Sequence, residues 1–161
     1  MRPIVVSTHV SRSPDEVFAF LDVLANHERF TDHMLVEWSF SGPPSGTGAA
    51  ARARAATSGK QWVDITVTES LPPTRTVEET IGANGKRRTR GTYSLVASDG
   101  GTDVDFTLEY LEAPLSERIL APAIRSYMRR MNGTAMRRLA ALFEEPRAEA
   151  TPGDGASTVA S

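Results

Sequence analysis

The strongest constraint on the fold is a long stretch of period-two alternation that gives way near Ala113-Pro114 to three- and four-residue spacing and never returns. Alternating apolar and polar residues turn one face of a strand toward a core, whereas three- and four-residue steps line one face of a helix. Val36, Trp38 and Phe40 open the alternating stretch, opposed by Glu37 and Ser39, before Gly42-Pro43-Pro44-Ser45-Gly46 breaks the run. Further strands are expected at 47–57, 61–70, 75–82, 87–97 and 102–112, separated by Thr57-Ser58-Gly59, Pro72-Pro73-Thr74, Ala83-Asn84-Gly85 and Ser98-Asp99-Gly100-Gly101. A parallel crossover needs a dozen or more residues, so strands joined this closely are antiparallel neighbours.

Both ends of this stretch are bounded by helical signals. Ile4, Val6, Thr8 and Val10 alternate with Val5, Ser7 and His9 as a first strand, and Ser13-Pro14-Asp15-Glu16 follows. That tetrapeptide supplies an N-cap serine, a proline at the first helical position and a glutamate placed to complete a capping box. Val17, Phe18, Phe20, Leu21 and Leu24 then follow helical spacing, and Ala25 to Phe30 reads as a second short helical piece. Beyond Pro114, the residues Leu115, Ile119, Leu120, Ile124, Tyr127, Met128, Met131, Leu139, Leu142 and Phe143 form the apolar stripe of a long amphipathic helix. Pro122 is expected to kink it or divide a short first turn from the main body, and Gly133 to mark close packing.

The order of elements defines an α+β domain over residues 1–145, a seven-stranded antiparallel sheet around a long C-terminal helix with two short helices after strand one. Only that last helix is long enough to cover the concave face of a twisted sheet. Residues 146–161 hold one large apolar residue, Val159, too little to offset chain entropy, and are expected to be a disordered tail.

Composition narrows the function. Among 161 residues, 18 basic and 20 acidic side chains leave a net charge of −2, which removes the field a phosphate-backbone binder uses, so no nucleic-acid partner is expected. With no cysteine there is no disulfide, thiolate nucleophile or Cys-ligated metal, in keeping with a cytoplasmic protein. The N-terminus turns polar after three apolar residues, and no segment reads as a signal peptide or membrane span. Gly42 to Gly48 lacks the lysine and following helix of a phosphate loop, and no serine sits in a G-x-S-x-G elbow. His9, His27 and His33 match no metal-ligand spacing and read as surface or loop residues, so no metal and no cofactor is expected.

Four segments stand out along the chain: Ser13-Pro14-Asp15-Glu16-Val17-Phe18, Leu71-Pro72-Pro73, Gly91-Thr92-Tyr93-Ser94-Leu95, and Gly101-Thr102-Asp103-Val104-Asp105-Phe106 leading into the long helix. With them the sequence resembles the START-like superfamily, also called SRPBCC, with its helix-grip fold, and within it the polyketide cyclase/dehydrase-like branch. The likeness runs from about Ile4 to Phe143 and lies in turns, caps and core positions, which specify fold more than activity. It implies a cavity between sheet and helix that holds a small hydrophobic, lipid-like ligand.

Strand parity selects the residues to line such a cavity: Val36, Trp38, Phe40, Val77, Tyr93, Leu95, Phe106, Leu108 and Tyr110, with Val63, Ile65, Val67 and Val104 on the same faces. The helix adds Ile124, Tyr127, Met128 and Met131, and the alternate alanines Ala49, Ala51, Ala53 and Ala55 leave room. The bland alternative is a close-packed core with no opening. Parity also places Glu79 beside Val77 and Ile81, where burial would raise its pKa and suit it, with Tyr93 and Tyr110, to acid or base chemistry in a polyketide aromatase/cyclase-type enzyme. On the opposite parity Glu79 sits in water. A third reading is an interaction module: Lys86-Arg87-Arg88-Thr89-Arg90 and Arg125, Arg129, Arg130, Arg137 and Arg138 form either a solvated face or a dock for an acidic protein partner such as an acyl carrier protein, or for an anionic lipid surface. Whether the chain is an enzyme, and its oligomeric state, are open at this level.

Overall fold

The computed structural model describes residues 1–57 and 60–144, so the tail expected at 146–161 lies outside the described residues. Strand β1 (Ile4–Val10) leads into α1 (Pro14–Leu21), whose start the capping box sets. The Ser13 hydroxyl accepts from the Glu16 amide and the Glu16 carboxylate accepts from the Ser13 amide, each at 3.3 Å. A single 3-10 turn, Leu24–His27, and the short α2 (Glu28–Thr31) follow.

The sheet then builds in chain order through β2 (Leu35–Ser41), β3 (Ala50–Ala55), β4 (Trp62–Leu71), β5 (Arg75–Gly82), β6 (Arg87–Ser98) and β7 (Gly101–Glu112). Its seven strands lie in the order β1-β7-β6-β5-β4-β3-β2, and every pairing is antiparallel. β3 starts later than the alternation suggests because Gly46 and Gly48 take φ of 75° and 94°, a turn conformation that precedes the strand. The chain ends in α3 (Leu115–Ile119) and α4 (Ala121–Glu144), divided just before Pro122 as its ring geometry requires.

Apolar burial holds α4 at one side of the sheet. Ala135, Met136 and Leu139 of α4 pack with Ile4 and Val10 of β1, Leu21 of α1 and Phe30 of α2. A second cluster joins Leu24 to Ala49, to Ala51 and Ala53 of β3, and to Val63, Ile65 and Val67 of β4. Gly133 does not mark the expected close approach: a Cβ there would meet only the Arg137 Nη1 atom, at 3.6 Å.

Candidate functional site

Between the middle of the sheet and α4 lies a cavity of about 350 Å³, so the interior is not close-packed throughout. Its roof is the apolar stripe of α4, with Ile124, Met128, Met131 and Ala135 facing inward at helical spacing. One wall comes from Leu35 and Trp38 of β2 and Val63 and Ile65 of β4.

The floor is polar. Thr80 of β5 pairs with Thr89 of β6, which pairs with Tyr110 of β7, so three hydroxyl-bearing side chains cross the sheet in one row. In the next row Glu78 pairs with Gly91 and Gly91 with Leu108; beyond it Tyr93 pairs with Phe106. Gly91 makes this arrangement possible. A Cβ at that position would lie 3.0 Å from the Phe106 ring and 3.2 Å from Glu78 Cγ, so the missing side chain is what lets the ring and the carboxylate stem approach each other.

At one end His27, only 4% exposed, meets Glu78 and Tyr93. The Leu21 carbonyl accepts from His27 Nε2 at 2.8 Å, which fixes the N–H there and turns Nδ1 toward Glu78 Oε2, 3.6 Å away. The His27 and Tyr93 rings meet edge to face with centroids 5.6 Å apart. Burial pushes the Glu78 carboxyl above its ordinary range, opposed by the neighbouring imidazole. Burial also pushes the Tyr93 phenol well above its ordinary value, reinforced by Glu78. At the other end Arg87 of β6 donates through Nε to the Glu117 carboxylate of α3 at 2.8 and 3.1 Å, and a second nitrogen completes a bidentate pair. Burial raises the Tyr110 phenol beside them.

Of the residues expected to line the cavity, Trp38, Tyr93, Phe106, Leu108, Tyr110, Ile124, Tyr127, Met128 and Met131 do so, as do Val63, Ile65 and Ala55. Four do not. A bulge in β2, with Glu37 at φ 56°, interrupts the alternation and leaves Val36 paired with Arg54, on the face opposite Leu35. Phe40 stacks on Trp38 at a centroid distance of 5.7 Å but borders a separate pocket of about 250 Å³ with Leu24 and Pro43. Leu95 is buried in the core beside Val104. Val77 lies on the convex face, because β5 runs with the parity opposite to that expected.

The same parity removes Glu79 from the interior. It pairs on the convex face with Arg88, at 2.6 and 3.0 Å, and with Arg90, at 3.0 Å, and these guanidiniums hold its carboxyl below the usual range. Glu79 is therefore outside the cavity and paired with two arginines, where it cannot serve as an acid or base on a molecule inside. Glu78, which the alternation placed outside, is the carboxyl on the cavity wall.

The histidines divide three ways. His9 stays on the surface, its Nδ1 2.8 Å from Asp103. His33 lies after α2 and donates from Nε2 to the Met131 carbonyl at 3.0 Å, while Arg138 bridges it and Asp32, so this group ties α4 to the α2 end. His27 is neither surface nor loop. It continues the Leu21, Leu24 spacing inward, a periodicity visible in the sequence. Among the described residues no group of three or more His, Cys, Asp or Glu could hold a metal ion, and no helix is long and apolar enough to cross a membrane.

An antiparallel sheet closed by one long C-terminal helix over a ligand-sized space defines a helix-grip protein. The chain belongs to the polyketide cyclase/dehydrase and lipid transport family, whose model matches residues 1–144, and so to the SRPBCC-type proteins. Among solved structures it is similar to a protein from Chromobacterium violaceum, 21% identical over 90% of this chain and 99% of that one, with a TM-score of 0.65. It is also similar to major latex-like protein 151 from Panax ginseng, 9% identical over 88% of this chain and 97% of the other, TM-score 0.68. DynU16, a protein in the dynemicin biosynthetic locus, is 18% identical, with 88% of this chain and 47% of that chain covered and a TM-score of 0.64. No curated protein matches the sequence. At these identities the likeness shows the fold.

Proposed function

We propose that this protein binds a small, largely hydrophobic molecule in the cavity between its sheet and α4. The observation that carries the reading is the space itself: about 350 Å³, roofed by aliphatic and methionine side chains and walled by Trp38, Val63 and Ile65. Ligand pockets start at roughly 300 Å³ and are mostly apolar with a few placed polar groups, which is the composition here. Methionine suits such a roof, since its unbranched side chain adapts to the shape presented. Membership in a family described by both cyclase/dehydrase activity and lipid transport is compatible with this reading and leaves the ligand open.

Titration with the uncharged fluorophore N-phenyl-naphthylamine tests it. Saturable binding is expected, and Leu108→Trp or Met128→Trp, which place an indole inside the cavity, should abolish it while the protein stays folded by circular dichroism. Absence of saturable binding, or binding indifferent to both substitutions, would falsify the proposal.

A further inference from the structure

Helix α3 stands out from the domain with little apolar support. None of its residues is buried or belongs to either apolar cluster, and the Arg87–Glu117 pair tethers it to the sheet. Yet Leu115, Ile119 and, at the break before α4, Leu120 are each more than half exposed. Single exposed apolar residues are ordinary, but three within six positions make a patch that calls for a partner. The patch continues onto α4. The Ile124 amide donates to the Leu120 carbonyl at 3.0 Å, so Leu120 and the partly exposed Tyr127, two helical turns on, share one face, and Arg130 follows on it.

The charge around the patch has one sign. Residues 113–130 carry Arg118, Arg125, Arg129 and Arg130 against the single acid Glu117, which Arg87 already neutralises, although the whole chain has a net charge of −2. Among the described residues none of these four arginines has a carboxylate partner, whereas Arg75, Arg87, Arg88 and Arg90 of the sheet all do. Aliphatic side chains flanked by unpaired cations supply the two attractions that together hold an element in a bilayer interface, apolar burial and the pull of anionic headgroups.

We propose that α3 and the first turns of α4 dock on an anionic phospholipid bilayer, with Leu115, Ile119 and Leu120 entering the headgroup layer and Arg118 and Arg130 among the lipid phosphates. A second copy fits this face poorly, because a two-fold contact would set its arginines against their own counterparts. A protein partner fits poorly too: stable protein interfaces use roughly 20–30 residues a side, which a five-residue helix and one adjoining helix face do not reach. Docking sets the Glu117 and Tyr127 end of the cavity against the lipid. The inference goes beyond ligand binding and does not depend on it.

The test is cosedimentation of the full chain with vesicles of phosphatidylcholine alone and of phosphatidylcholine and phosphatidylserine in equal parts. Binding to the mixed vesicles, weakened by salt, is expected, with little to phosphatidylcholine. Leu115→Gln with Ile119→Gln keeps good helix formers, removes two apolar side chains and should lower partitioning by roughly tenfold or more. Arg118→Gln with Arg130→Gln should do the same, at roughly fivefold per charge. Neither Leu115 nor Ile119 lines the cavity, so the glutamine pair there should still bind N-phenyl-naphthylamine in solution. The chain has no cysteine, so a single dye reports position. A nitrobenzoxadiazole label at Leu115→Cys should shift to the blue on mixed vesicles, and the same label at Val96→Cys, about 30 Å along β6 from Arg87, should not. No binding to mixed vesicles, binding indifferent to both pairs, or equal shifts at the two labels overturns the proposal and leaves cavity binding intact. Without vesicle binding, self-association that the Leu115 and Ile119 pair abolishes assigns the face to a second copy, and retention on polyglutamate through Arg118 and Arg130 assigns it to an acidic protein; either overturns docking on lipid. Should a paired variant fail to fold, the two labels decide.

Discussion

Replacing Glu117 with alanine should loosen α3 without unfolding the domain. α3 buries none of its residues, and Leu115, Ile119 and Leu120 are 70%, 71% and 58% exposed, so apolar burial contributes little to its attachment. Its principal tether is the bidentate contact from Arg87, whose side chain is 26% exposed against 16% for Glu117. Hydrogen bonds between charged groups contribute about 1.5–3 kcal/mol when sheltered, and exposed ion pairs about 0–1 kcal/mol. This pair sits between those limits, at about 1.5 kcal/mol. Alanine is the strongest helix former, so the substitution favours α3's own helicity and any loosening reports the lost pair. A change of about 1.4 kcal/mol is tenfold in an opening equilibrium, so α3 should open roughly tenfold more often. Amide hydrogen exchange reads this at Arg118 and Leu120, whose N–H groups donate to the Pro114 and Ser116 carbonyls at 3.1 and 3.2 Å. Core amides of β6 and β7 should exchange as before. Because Arg87 and Glu117 both line the cavity, probe association should quicken in parallel. Unchanged exchange at Arg118 and Leu120 would show that another contact holds α3; a uniform rise across the domain would show that the pair supports the global fold. Either result refutes the argument.

Two further outcomes follow from burial. The Glu78 carboxyl has a folded-state pKa raised above its ordinary 4.5, mainly by desolvation, so its contribution to stability is complete below that value and is lost as pH rises through the raised one. Thermal melts of wild type and Glu78→Gln should therefore converge in acid and diverge in the variant's favour as pH rises; His27 and Tyr93 are the titratable groups facing Glu78, and melts that stay parallel would contradict its burial. Leu139 of α4 is fully buried against the β1 end of the sheet, and Leu139→Ala should cost about 2–5 kcal/mol in urea unfolding, with a loss under 1 kcal/mol counting against that packing.

Element existence was legible wherever local chemistry decides it. The Ser13 capping box, the alternating runs and the stripe of α4 each reflect interactions within a few residues, and each of these elements is present, β3 alone being clearly shorter than its alternating run. Facing was harder, because facing depends on register. The expected strands 75–82 and 87–97 already imply Gly82 opposite Arg87, and the structure has that pairing, with Tyr93 opposite Thr76. That register sets Tyr93 on the face of Thr76, Glu78 and Thr80, whereas the apolarity of Val77 and Ile81 suggests the other face. Because side chains alternate strictly along a strand, register decides, and it turns Glu79 outward and Glu78 inward. The β2 bulge acted in the same way on Val36.

The reversal in β5 also explains why a hydrophobic rule could not find the site. That strand turns Thr76, Glu78 and Thr80 toward the inside and Val77, Glu79 and Ile81 toward the convex face, leaving Ile81 45% exposed. Thr76 is buried and its hydroxyl donates to the Glu69 carbonyl at 3.3 Å, but against a close-packed core Glu78 and Thr80 would lose water without gaining a hydrogen-bond partner. Their inward facing is tolerable only where the inner face looks onto space that a ligand or water can share. Exposed Ile81 and inward Glu78 are then two consequences of one requirement, a polar floor under an apolar roof. In β5, alternation that contradicts the strand's own hydrophobicity marks the floor of the cavity, and it is found by fixing register from the hairpin before assigning faces from apolarity.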